Sequence, residues 1–161
     1  MGDILDIFYV CIVILVFIIA FFVLSLVMTQ FSSSTNETLS DSTSQYVITA
    51  GKNTFQVYDA GLVVLLFGAF ASIIISAFFI KTHPVFFFVS LLVFVIVLMI
   101  LPIFSNIAFD VANSTQIKDE ANKYPLAVNI INNIGFYAML AGAIILIVLY
   151  AKISTGKDVG V

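Results

Sequence analysis

Four apolar stretches, at residues 4–31, 58–80, 84–109 and 125–151, alternate with polar segments that hold nearly all the charge. A hydrocarbon layer about 30 Å thick needs about 20 helical residues to cross it, and each stretch is that long. Backbone groups find no water in hydrocarbon, and continuous apolar runs, as opposed to alternating ones, satisfy them as helices. The pattern therefore predicts an all-α integral membrane protein. It reads as a bundle of four transmembrane helices with an antiparallel central hairpin, in a single membrane domain over residues 1–161.

The four stretches differ in texture. The first is Ile, Val, Leu and Phe on every face, which suits lipid contact or loose packing on a partner. In the second, Gly68, Ser72 and Ser76 recur at intervals of four, and Gly61 lies one heptad before Gly68. In the fourth, Gly135, Ala138 and Gly142 make a similar series. Lipid supplies no hydrophobic drive between helices, so small residues that let backbones approach are where spans pack. These six residues are predicted to form one seam between the second and fourth spans. The fourth span also carries Asn129, Asn132 and Asn133 in its first turns, and Ser105 and Asn106 reach a similar depth from the third. An amide facing lipid is costly, so these five are predicted to cluster near one face of the membrane and to include hydrogen bonds between spans.

The connecting segments are read as polar loops at 32–57 and 110–124. Residues 32–44 are a Ser/Thr/Asn run with Glu37 and Asp41; residues 46–49 read as a short strand and 50–53 as a turn. The first loop is a solvated connector or, functionally, a contact surface for another protein. Lys81, Thr82 and His83 leave room only for a tight helix–helix turn before Pro84. Pro84 and Pro125 each open a span, where a missing N–H costs nothing. Pro102 lies inside the third and should bend it. His83, the single histidine, reads as a cap or headgroup contact in preference to a pH sensor.

Composition excludes most soluble functions. Of 161 residues, 62% are hydrophobic and 9% charged, and the mean hydropathy is +1.21; soluble domains are about a quarter charged. There is no Arg, the six Lys are scattered and the net charge is −3, which argues against nucleic acid as a partner. The Lys count ties between the two sides, so it does not orient the chain. The sequons at Asn36 and Asn113 fall on one side and lean toward that side being external. Asp3 and Asp6 stand where a secretory leader carries its positive charge, so the first stretch reads as a span, not a cleaved leader.

Candidate chemistry is sparse. Cys11 is the only cysteine and lies within the first span; it reads as a small buried hydrophobe. Metal sites need clustered His, Cys or carboxylates, and proton or ion pathways usually show ionisable groups within the spans. Asp59 and Asp110 lie only at span ends. No catalytic, cofactor or metal residue is expected. Three readings remain: a structural subunit of a membrane assembly, a small holin-like pore former, and a non-catalytic accessory subunit of a membrane enzyme.

A resemblance bears on the choice. The run Phe79-Ile80-Lys81-Thr82-His83-Pro84-Val85-Phe86-Phe87-Phe88-Val89-Ser90, then Ile103-Phe104-Ser105-Asn106, then Tyr124-Pro125-Leu126, resembles small multi-span membrane proteins of tailless, membrane-containing icosahedral viruses and related proviruses. It covers spans two to four around an I-[KR]-T-H-P turn. It implies a virion membrane component beneath a capsid shell and carries over no functional site. The expectation is a non-enzymatic structural protein without cofactors, in a virion internal membrane or a host membrane. Its partners are the bilayer, neighbouring capsid or complex subunits and further copies of itself.

Overall fold

The computed structural model of the chain describes residues 4–38, 42–79 and 83–154. All elements among them are helical: α1 (Ile4–Thr38), α2 (Ser42–Phe79), α3 (Pro84–Ala112), a single turn α4 (Lys118–Ala121) and α5 (Pro125–Ser154). Four helices are long and apolar enough to cross a membrane, over Ile4–Ser34, Thr49–Phe79, Val85–Ala112 and Pro125–Ser154.

Helix starts follow the sequence. Pro84 and Pro125 open α3 and α5. His83 is extended (φ −88°, ψ 146°) and caps α3, its Nδ1 accepting the Val85 N–H at 3.4 Å. Lys81 and Thr82, the rest of that turn, lie outside the described residues. Pro102 withholds one N–H from the ladder, yet α3 continues to Ala112.

The first predicted loop requires correction. Residues 32–38 continue α1, and 42–57 are the first turns of α2, so the strand at 46–49 and the turn at 50–53 are helical instead. Tertiary packing overrides the local signals: Gly51, read as a turn residue, lies where an added Cβ would be 2.9 Å from the Met28 side chain, and Phe55 packs against the core. With 35 and 38 residues, α1 and α2 are about 52 and 57 Å long, against about 45 Å for α5 with 30. The second predicted loop is shorter than expected, because α3 reaches Ala112 and α4 occupies part of it.

The bundle is organised on α1 and α5. They pack on each other, and α2 and α3 each pack on both of them but not extensively on one another. Buried positions advance by alternate threes and fours. On α1 they are Ile4, Ile7, Cys11, Ile14, Ile18, Phe21 and Ser25; on α5, Ala127, Ile131, Ile134, Ala138, Ala141, Ile145 and Val148. That 3.5-residue spacing is the seam of helices packed at shallow angles. α2 contributes Leu62, Leu66, Phe70, Ile73 and Ala77, and α3 contributes Val97, Leu101, Ala108 and Ala112.

Candidate functional site

At the end of the bundle where α1 meets α4, the inward line turns polar. Carried back through Tyr124, the α5 spacing reaches Glu120 on α4, and both side chains are buried, at 4% exposure each. Facing them are Ser25, also buried, and Thr29 one turn later on the same face of α1. Ser25 Oγ donates to Glu120 Oε1 at 2.5 Å and lies 2.6 Å from the Tyr124 hydroxyl. Thr29 donates to the same oxygen at 3.2 Å, and Lys123 Nζ reaches Oε2 at 2.6 Å. Burial pushes the Glu120 carboxyl up. The hydrogen bonds from Lys123 and Ser25, the Lys123 charge and the Thr29 hydroxyl outweigh it and hold the group below its usual value.

A cavity of about 290 Å³ opens beside this cluster. Its polar wall is Ser25, Thr29, Glu120, Lys123 and Tyr124; Met28 and Phe55 form the apolar wall. Beneath it Phe21 packs edge-on against Tyr124, centroids 4.7 Å apart, and lies 5.7 Å from Phe55 and 6.2 Å from Tyr58.

Asp59, buried on the inward line of α2, serves the same end of the molecule. Its carboxyl oxygens accept the Ala127 N–H at 2.8 Å and the Leu126 N–H at 3.3 Å. The first four N–H positions of a helix have no partner within it. In α5, Pro125 has no N–H, Asp59 takes the next two, and Val128 bonds to the Tyr124 carbonyl at 3.2 Å. A side chain from another helix thus caps α5 and fixes α2 against it.

The structure distributes the sequence-predicted residues differently from the expected pattern. Gly68 and Ser72 are exposed, Ser76 is half-buried, and a Cβ on Gly68 or Gly135 would meet nothing within 4 Å. Ala138 is buried on the inward line, while a Cβ on Gly142 would run into the Phe94 ring of α3. The small residues of α2 and α5 are therefore not brought together as one seam. Gly142 faces Phe94 of α3, and between α2 and α5 the Phe67 and Tyr137 rings pack edge-on, centroids 5.9 Å apart. In the polar set, Ser105 bonds across spans, donating to the Ile131 carbonyl at 2.6 Å. Asn133 donates to Asn129 within α5, at 3.0 Å to its carbonyl and 2.6 Å to its side chain, and Asn129 reaches the Tyr137 hydroxyl at 3.4 Å. Asn106 and Asn132 are exposed. The amide bonds shown, Asn133 to Asn129 and Asn129 to Tyr137, thus run along α5 and not between spans.

Sequence reasoning missed the Ser25, Thr29, Glu120, Lys123 and Tyr124 group. One signal was present: two hydroxyl residues four apart, in a helix otherwise apolar at that depth. Among the described residues, no three His, Cys, Asp or Glu side chains come together as a metal site would need. No family model, curated protein or solved structure matches the chain.

Proposed function

We propose that the protein is a structural, non-enzymatic four-span component of a membrane assembly, its spans alternating in direction and α2 and α3 forming the central antiparallel hairpin. The observation that carries this reading is the interior. From Ile4 to Phe22 on α1, and from Ile131 to Leu149 on α5, the inward positions are apolar and closed by large side chains such as Leu66, Leu101 and Ile145. Among the described residues, the inward line of a single copy is thus apolar over those stretches, and the buried polar side chains Ser25, Asp59 and Glu120 lie at one end, where they fasten helices together.

The assembly we propose is a virion with an internal lipid layer. The hairpin run from Phe79 to Ser90 supports this through its resemblance to viral membrane proteins. The ends of α1 and α2 that extend beyond the apolar windows, and the segment at 110–124, are the surfaces that meet shell or neighbouring proteins. Purified protein in liposomes is expected to pass neither ions nor a small dye, and to recover partner proteins through 32–55 and 110–124. One observation favours a second reading: Asn129, Asn132 and Asn133 lie on the outer side of α5, where several copies could line a pore between them. Dye leakage at low protein-to-lipid ratio, with no partner recovered, would replace the structural reading with that one.

A further inference from the structure

The hydrogens of the Glu120 cluster can be assigned one by one. Ser25 has a single hydroxyl proton, and it goes to Glu120 Oε1. The 2.6 Å contact between Ser25 and Tyr124 must then run from the phenol to Ser25 Oγ. The Thr29 proton also goes to Oε1. All three hydroxyl protons are thus spent along the chain that ends on the carboxylate. What the hydroxyls have left to offer is lone pairs. A carboxylate has about four acceptor sites, and Ser25, Thr29 and Lys123 use three. The polar wall of the cavity is therefore rich in acceptors, and among the described residues Lys123, about half exposed, is the cation on it.

We infer that this cavity binds a lipid headgroup bearing a primary ammonium and a phosphate, the ammonium against Glu120 and the phosphate at Lys123. An ammonium has three donors and no acceptor, which complements the wall. Phe55 and Tyr124 add ring surface that attracts a cation. Lys123 spends one of its three donors on Glu120 and keeps two for phosphate oxygens. The Glu120–Lys123 pair is neutral, as is a zwitterionic headgroup. The volume, about 290 Å³, is far above the roughly 10–15 Å³ that one water needs. Position points to lipid as the source. Ser25, Met28 and Thr29 belong to the first apolar window and Phe55 to the second, while Glu120, Lys123 and Tyr124 lie between the third and fourth. The cavity thus straddles the edge of the apolar layer, where headgroups lie. This inference rests on the membrane-spanning reading above.

The test uses the full chain reconstituted in vesicles with equal parts of ethanolamine, choline and glycerol phospholipids of one acyl composition. Lipid retained after gentle detergent extraction is then measured by native mass spectrometry. Ethanolamine lipid is expected to be retained about tenfold over the other two, the effect of charge-assisted hydrogen bonds that choline and glycerol cannot make. E120Q should remove most of that preference, and K123Q, which loses the phosphate contact common to the three lipids, should lower the retention of all of them. If E120Q fails to fold, the wild-type preference together with K123Q, on a half-exposed side chain, decides. Equal retention of the three lipids by wild type, or unchanged total retention in folded K123Q, overturns the inference. Displacement of retained lipid by free phosphoethanolamine supports headgroup recognition; binding of the free compound without any lipid preference overturns lipid as the source. Failure to insert into vesicles would overturn the membrane-spanning reading itself, whereas insertion without headgroup preference would overturn only this site.

Discussion

Single side chains at the polar end of the bundle do the work of loops. Asp59 caps α5 from a neighbouring helix, so Asp59→Ala leaves two N–H groups without their acceptor. Losing a helix cap costs about 1 kcal/mol and up to about 2. Asp59→Ala should therefore melt earlier in detergent, with Asp59→Asn, which keeps an acceptor, losing less. Glu120 gives the end its pH dependence. Its folded pKa is depressed below the ordinary 4.5, so the unfolded chain binds more protons as that range is crossed. Its contribution is complete above pH 4.5 and is lost as pH falls through the folded value. Thermal melts on either side of that pH should show wild type losing stability on acidification by more than Glu120→Gln does. An equal loss in both would mean that the carboxylate is not the titrating group.

Among the helices, inward faces are set by the three-and-four spacing and not by small residues. Gly142 and Gly68 separate these two determinants. An added methyl on Gly142 overlaps the Phe94 ring, and on Gly68 it meets open space. Gly142→Ala should lower stability by about 1–3 kcal/mol, the range for overpacking, or by less if Phe94 swings outward. Gly68→Ala should be neutral or should stabilise α2 by up to about 1 kcal/mol, the Gly-to-Ala difference in helix propensity. Comparing the two melting temperatures in the same detergent checks this, and a larger loss at Gly68 would restore the α2 seam. Ser105 ties α3 to α5 one turn beyond Pro102, where the ladder of α3 is already short of an N–H.

At the level of the whole molecule, α3 is the helix turned most to the outside. Only 11% of its apolar window is buried, against 39% for α1 and for α5. It is thus the broadest face for lipid or for a neighbouring span. If four helices cross the bilayer, Thr115 and Ser154 are separated by one crossing, and Tyr46 lies on the same side as Thr115. In a Cys11→Ala background, cysteines placed at Tyr46 and Thr115 should react with an impermeant maleimide from one side, and one at Ser154 from the other. Labelling of Thr115 and Ser154 from a common side would remove a span and with it the four-crossing arrangement.

The sequence alone settled what depends on summed apolarity and on local stops. Four runs too long and too apolar for anything but helices are legible without neighbours, as are the starts at Pro84 and Pro125, because proline acts through its own φ and missing N–H. The facing of those helices was not legible. α1 is apolar all round, so Ile4, Ile7 and Cys11 differ from Leu5 and Tyr9 only through what packs against them. Small-residue spacing marked Gly68 and Gly142 alike, and only the placement of Phe94 distinguishes them. Residues 46–53 carried strand and turn signals, which the packing of α2 on α1 overrode. The polar end was hidden for the same reason. Ser25 and Glu120 are 95 residues apart, and neither the buried carboxylate, its donors nor the cavity exists until tertiary packing brings α1, α2 and α4 together.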